Sequence, residues 1–399
     1  MANVFQQNKR RNLFENTKPL DPEITPSIDD LVRRDKQIEK LVHHLKDLIH
    51  YGTAPNLHIT GDTGVGKTAT TKSVLNDLEE AMENEGENFE PIYITDVDNE
   101  RNALQKIAGK LEVEYYNPGN LTRYYDKIGE KLVEDDIVSV LVIDEADKLF
   151  KRKRKDHGNS LFKRLSEVRN QVNSENEGYL LLIAITNNAR LVELFNPRVE
   201  SRFGRETIAF PSYDAPDLRE ILETRAEKAY KPDVIADGVL SKTAALVAQN
   251  NGDARTAIKI LWKAGQLAEE NECSKVQKKH VDIAKAELEE KRIMDAIENS
   301  GTNQKRLMYS ILDLRKRDHI LAGQVYERYE KLGKTNDYDP VSQRQCRKLV
   351  NKLDMKGLIS IKVVNRGRRG RTREIELEIE EDSAEMIENR LEDQFYIDA

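Results

Sequence analysis

Four short, almost unbroken apolar runs stand out in the first half of the chain, at residues 57–60, 92–95, 138–143 and 179–186. Runs of that length without polar alternation suit strands buried on both faces of a parallel sheet. Between them the apolar positions fall into helical spacing over 67–84, 100–111, 121–132 and 160–171. Strand–helix alternation of this kind predicts an α/β layered domain with right-handed crossovers. Ahead of it, residues 1–25 are polar, hold Pro19 and Pro22, and read as an extended lead. From Ser27 a helical pattern begins, with Ile28, Leu31, Ile38, Leu41, Val42, Leu45 and Leu48 on one face, ended by Gly52 and Pro55.

After Pro211 the strand pattern stops. Segments 218–230, 241–249, 254–270 and 280–300 read as helices and predict a helical lid, followed by a hinge at 301–303. From Lys305 the order is helix, helix, helix, strand, basic turn, strand, and the stretch from Glu380 is acidic and reads as a terminal helix or tail. The expected division is therefore a lead (1–25), an α/β base (26–210), a lid (211–300), a C-terminal module (301–382) and an acidic tail (383–399).

Composition sharpens this picture at two points. Charged residues make up 34% and hydrophobic residues 38%, the balance of a well-solvated, helix-rich globular chain. No apolar run approaches the roughly 18 residues of a membrane span, so a cytoplasmic, nucleoid-associated protein without membrane contact is expected. Net charge is −7 overall, yet residues 301–380 hold 19 Lys and Arg against 11 Asp and Glu. That asymmetry predicts a polyanion-binding module on an acidic body. Cys273 and Cys346 lie far apart without a CxxC partner and read as reduced thiols, not as a disulfide or a zinc site.

The chemistry concentrates after the first strand. Gly61, Asp62, Thr63, Gly64, Val65, Gly66, Lys67 and Thr68 match GxxxxGK[ST], between a strand and a helix start. Glycines let such a loop curl until its backbone N–H groups face phosphates, and the helix N-terminus adds positive potential. Lys67 is expected to neutralise the terminal phosphates of ATP or ADP, and Thr68 to ligate Mg²⁺. The third strand delivers Asp144 as the second Mg²⁺ ligand, with Glu145 beside it to polarise an attacking water. Asp144 to Asp147 also spell a helicase signature, but the second RecA-like domain of that superfamily has no counterpart here.

Three further groups carry two readings each. Asn187, at the end of the fourth strand, either senses phosphate and orients water or caps the next turn. Arg255, opening a lid helix, either reaches the γ-phosphate or makes a surface ion pair. Arg202 and Arg205 are either a finger for a neighbouring subunit's nucleotide or plain surface arginines.

In the C-terminal module the element order predicts a winged helix. Segment 342–356 is the candidate recognition helix, offering Gln343, Arg344, Arg347 and Lys348 to the major groove while Cys346, Leu349, Val350 and Leu353 face the core. The turn that follows holds Arg366, Arg368, Arg369, Arg371 and Arg373, suited to DNA phosphates or the minor groove. A solvated loop or a tether to an acidic protein is the other reading of that turn.

Taken together these residues resemble the AAA+ superfamily, and more narrowly the archaeal origin recognition and cell-division-control initiators. The narrower likeness rests on segment 33–38, on 197–204 followed by 208–215, on 251–255, and on Asn187 at the first sensor position. It implies that Arg33 belongs to the segment packed on adenine, and that 251–255 is the second sensor motif, carrying Arg255. It also implies that the helix near 99–111 contributes to DNA contact, with Arg101 and Lys106 as candidates.

By that resemblance the chain is a weak ATPase that binds double-stranded origin DNA, as a monomer or a DNA-assembled oligomer, and helps recruit the replicative helicase. The alternatives are a helicase loader or plasmid initiator with incidental DNA binding, and a nucleotide-binding transcriptional regulator.

Overall fold

The computed structural model describes residues 13–51, 54–113, 120–150, 156–175, 177–204, 206–336, 338–365 and 371–395. The chain forms two compact units that divide after Ala284.

The first unit opens with α1 (Asp35–Tyr51) and β1 (Leu57–Gly61), then α2 (Lys67–Glu85), β2 (Phe89–Ile94), α3 (Glu100–Lys110) and α4 (Leu121–Glu134). It continues through β3 (Val138–Ile143), α5 (His157–Val172), β4 (Tyr179–Thr186), the single turn α6 (Leu191–Leu194), α7 (Pro197–Phe203) and β5 (Thr207–Phe210). The five strands are parallel, in the order β2-β3-β4-β1-β5.

Alternate residues of the central strands enter two separate cores, which is why their sequences are apolar throughout. Leu180, Leu182 and Ala184 face the side covered by Leu104, Ile128 and Phe162 of α3, α4 and α5. Leu181, Ile183 and Ile185 face the side covered by Leu41 of α1 and Leu75 of α2.

Register fixes where chemistry can occur. Thr60 pairs with Thr186 and Ile143 with Ala184, so β1, β3 and β4 end along one edge. Connections diverge there, and open α/β sheets bind ligands at such an edge.

Two local features depart from the pattern reading. Helix α1 starts at Asp35, not at Ser27, because Ile28–Asp30 is a 3₁₀ turn and Arg33 takes a left-handed φ of 61°. The fifth strand, β5, was not foreseen; it is a four-residue edge strand in which only Ile208 and Phe210 are buried.

Helices α8 (Ala215–Ala229), α9 (Val239–Ala248) and α10 (Ala254–Glu270) form the lid, and α11 (Lys278–Glu298) carries the chain into the second unit. Asp214 caps α8 in a capping box with Asp217, and Asp253 caps α10 through the backbone N–H groups of Arg255 and Thr256. The lead is fastened to this lid: Leu13 donates its N–H to Glu269, and the Phe14 ring lies 4.6 Å from that of Tyr230.

The second unit contains α12 (Thr302–Leu312), β6 (Ile320–Leu321), α13 (Ala322–Thr335), α14 (Gln343–Met355), the hairpin β7 (Ile359–Asn365) and β8 (Arg371–Leu377), and α15 (Glu381–Phe395). Its antiparallel sheet runs β6-β8-β7. Ile293 and Ile297 of α11 belong to its core, so the units divide inside that helix, ahead of the hinge expected at 301–303.

The acidic segment expected as a terminal helix or tail takes the first of those forms. Through Phe395 it is the amphipathic helix α15, which seats Ala384, Ile387 and Leu391 in the same core while Glu388 and Glu381 hold Arg315. Among the described residues, no helix is long and apolar enough to cross a membrane.

Candidate nucleotide site and nucleic-acid interface

The loop joining β1 to α2 needs its glycines. Gly64 and Gly66 have φ of 75° and 88°, and a Cβ on Gly64 would stand 1.7 Å from Asp253 Oδ1. Lys67 is buried, and its Nζ donates to the carbonyls of Gly61 and Asp62 at 2.8 and 2.7 Å and to Asn187 Oδ1 at 2.8 Å. Burial lowers the pKa of this ammonium.

Thr68 Oγ1 donates to Asp144 Oδ2 at 2.7 Å, and the Tyr93 hydroxyl donates to the same oxygen. Burial, and then Asp144 beside it, push the Tyr93 pKa up, so it stays a neutral donor. Glu145 takes a left-handed φ of 53° and pairs with Lys148, which also pairs with Asp96 at 2.7 Å.

These groups share a cavity of about 430 Å³. Its lining combines Thr63, Gly64, Gly66, Lys67, Thr68, Asp144, Glu145, Asn187 and Arg255 with the apolar Ile24, Pro26, Leu31, Val32, Ile221 and Ile258. A phosphate loop with a buried lysine, beside apolar side chains, fits a nucleoside polyphosphate. Thr68 and Asp144 offer the two hard oxygens that a P-loop Mg²⁺ takes from protein, leaving its other positions to phosphate and water.

Three members of the loop do not line the cavity. Gly61 packs under Phe210, Asp62 accepts from Ser212 Oγ at 2.9 Å, and Val65 is fully buried. Arg33 is also outside it, and that expectation is corrected. Its left-handed backbone turns the side chain toward α8, where it pairs with Asp217 and Glu220.

Leu31 and Val32, just ahead of that segment, line the cavity, while Arg34 lies buried beneath the loop. Tyr93 and Lys148 also escaped the sequence reading. Tyr93 is one aromatic in an apolar strand, and Lys148 sits one helical turn beyond Glu145, a spacing that could have drawn notice.

On α14, Gln343, Arg344, Arg347 and Lys348 are exposed while Cys346, Val350 and Leu353 are buried. Among the described residues Arg344, Arg347 and Lys348 have no carboxylate partner, so the helix presents free positive charge. Gln343 and Arg347 border a cleft of about 360 Å³ with Val363, Thr372 and Arg373 of the hairpin. Arg373 Nη1 donates to Asn351 Oδ1 at 2.9 Å, fastening hairpin to helix.

Arg371 opens β8 opposite Asn365. Arg205, Arg366, Arg368, Arg369 and the basic run 151–155 lie outside the described residues. Arg202 pairs with Glu167, and Lys106 turns back to donate to the Thr95 carbonyl at 2.5 Å. Arg101 is exposed on α3.

A P-loop sheet, a helical lid bearing Arg255 and a winged helix with a free basic face define an AAA+ ATPase joined to a DNA-binding module. Family models agree segment by segment: an AAA domain over 49–192, the Cdc6 AAA+ ATPase-type lid domain over 219–286, and the CDC6 C-terminal winged helix domain over 295–386.

The chain is 33% identical over 388 residues to ORC1-type DNA replication protein 1 of Sulfurisphaera tokodaii, covering 95% of this chain and 94% of that one. It is 34% identical over 380 residues to the ORC1-type DNA replication protein of Pyrococcus abyssi, covering 93% and 88%. Among solved structures, the Aeropyrum pernix ORC1 protein in complex with DNA is similar at a TM-score of 0.87 and 31% identity, over 96% of this chain and 98% of that one. The chain belongs to the ORC1-type DNA replication initiators.

Proposed function

We propose that this protein binds ATP and Mg²⁺ between base and lid, and that the nucleotide state governs its hold on duplex origin DNA. The winged helix and the AAA+ base both engage that DNA, and the complex helps recruit the replicative helicase. Hydrolysis is slow and resets the switch.

The reading is carried by one observation: Lys67, Thr68, Asp144, Glu145, Asn187 and Arg255, drawn from four separate stretches of chain, line a single cavity. Lys67 donates hydrogen bonds to the loop carbonyls and Asn187, and can redirect these bonds to phosphate oxygens. Bound Mg²⁺ would supply the charge neutralisation that phosphoryl transfer needs. Asp144 holds Thr68 and Tyr93 around the metal position, and Glu145 takes the proton of the attacking water once it parts from Lys148. Arg255, at the N-terminus of α10, makes the lid part of the phosphate site.

The assignment is tested by Glu145→Gln, which removes the base and keeps the shape. It is expected to bind ATP as the unaltered protein does and to show no single turnover. Hydrolysis at the unaltered rate overturns the assignment of Glu145.

A further inference from the structure

Arg34 is 2% exposed, lies directly beneath the phosphate loop, and differs from its neighbour Arg33 in having no carboxylate within ion-pair distance among the described residues. Its guanidinium is held by main-chain carbonyls. Nε donates to Val65 O at 2.9 Å, Nη2 to Pro211 O at 2.8 Å and Nη1 to Arg33 O at 3.1 Å. Its flat face rests 3.7 Å from the centroid of the Tyr213 ring, with Phe210 behind it.

Each of those contacts has a consequence. In a trans peptide the carbonyl and the following N–H point opposite ways. Fixing the Val65 carbonyl downward therefore aims the Gly66 N–H toward the cavity side, where a phosphate is to be bound.

Pro211 and Tyr213 follow β5 directly and begin the path into the lid. Tyr213 lines the cavity and lies against Gly252, where a Cβ would come within 2.3 Å of the Tyr213 carbonyl. Gly252 in turn precedes Asp253 and Arg255, and the Ala254 N–H donates to Gly64 O at 3.1 Å. One side chain thus ties a phosphate-facing peptide to the strand end from which the lid departs. A buried cation with no direct ion pair among the described residues, and only the more distant Asp217 acting on it, also gains from an anion placed across the loop.

We propose that Arg34 is the positioning residue that transmits phosphate occupancy of the Gly61–Thr68 loop, through Pro211 and Tyr213, to the lid helix carrying Arg255. The inference rests on the nucleotide reading above and adds a residue that does not touch the nucleotide.

A double-variant cycle on the full chain tests it, with Mg·ATP and Mg·ADP affinities measured for the unaltered protein, Arg34→Lys, Arg255→Ala and the pair. Lysine keeps the charge but cannot bridge Val65 and Pro211 while stacking on Tyr213. Arg34→Lys is expected to lose about tenfold in affinity, and to lose most of the ATP-over-ADP preference that Arg255 supplies. Adding Arg255→Ala to it then costs much less than Arg255→Ala does alone.

Multiplicative losses in the pair overturn the proposal, because independent sites add in free energy. If Arg34→Lys does not fold, Tyr213→Leu takes its place in the same cycle, with the same two outcomes. Failure of the unaltered protein to bind either nucleotide overturns the nucleotide reading itself, and is thus distinct from additivity.

Discussion

Lys67 and Asn187, 120 residues apart in the chain, meet through a 2.8 Å hydrogen bond from Nζ to Oδ1. The bond joins the phosphate loop to the end of β4 and separates two roles. Lys67→Ala is expected to abolish nucleotide binding, since the loop loses its only buried ammonium. Asn187→Ala is expected to leave ADP affinity within a few fold and to slow single-turnover hydrolysis at least about tenfold. Equilibrium binding and rapid-quench hydrolysis on the two variants read these effects separately.

Gly64 is the tightest contact between loop and lid. Gly64→Ala places a methyl carbon on the Asp253 carboxylate, at a backbone φ of 75° that alanine resists. A loss of about 2 kcal/mol or more in stability is expected from strain and a displaced helix cap. Nucleotide affinity should fall with it. Thermal melting with and without Mg·ADP checks both.

His58, fully buried in β1 among Phe195 and Phe203, gives stability a pH dependence. Burial lowers its pKa below the ordinary 6.5, against the opposing pull of the Gly204 carbonyl, so the folded chain keeps it neutral where the unfolded chain protonates. Below about pH 6.5 the unfolded state therefore binds more protons, and stability falls as pH falls, by at most about 1.4 kcal/mol per pH unit from this group. Denaturant unfolding from pH 7.5 to 5 is expected to show this slope, and His58→Gln to reduce it.

On α14, alanine at Arg344, Arg347 or Lys348 is expected to weaken duplex binding about tenfold at fixed salt where the side chain reads a base. Where it contacts phosphate, the salt dependence should fall by about one counter-ion per variant. Salt titrations of each variant on one duplex separate the two. Affinity unchanged in all three variants would remove α14 from the interface.

The central strands were legible because burial on both faces leaves no polar alternation, and the P-loop because its glycines and lysine have no substitutes. What escaped notice depended on geometry that spacing does not carry. Strand β5 buries only Ile208 and Phe210, too few for a pattern. The choice between Arg33 and Arg34 turned on a single left-handed residue, which sends one arginine to α8 and the other beneath the loop. At the C-terminus the acidic composition left helix and tail both open, because α15 hides Ala384, Ile387 and Leu391 among acidic neighbours. Tyr93 meets Asp144, and Lys148 meets Asp96, only when β2 and β3 lie side by side.

Nucleotide control of origin binding is tested most directly by capturing fragments of the source genome with the purified protein, with Mg·ATP and with Mg·ADP, at one physiological salt concentration. Salt is held constant because phosphate contacts alone retain any duplex at low ionic strength. The account predicts strong enrichment of a few repeat-bearing intergenic fragments, to different extents with the two nucleotides. Weak, uniform capture that ignores the nucleotide contradicts it.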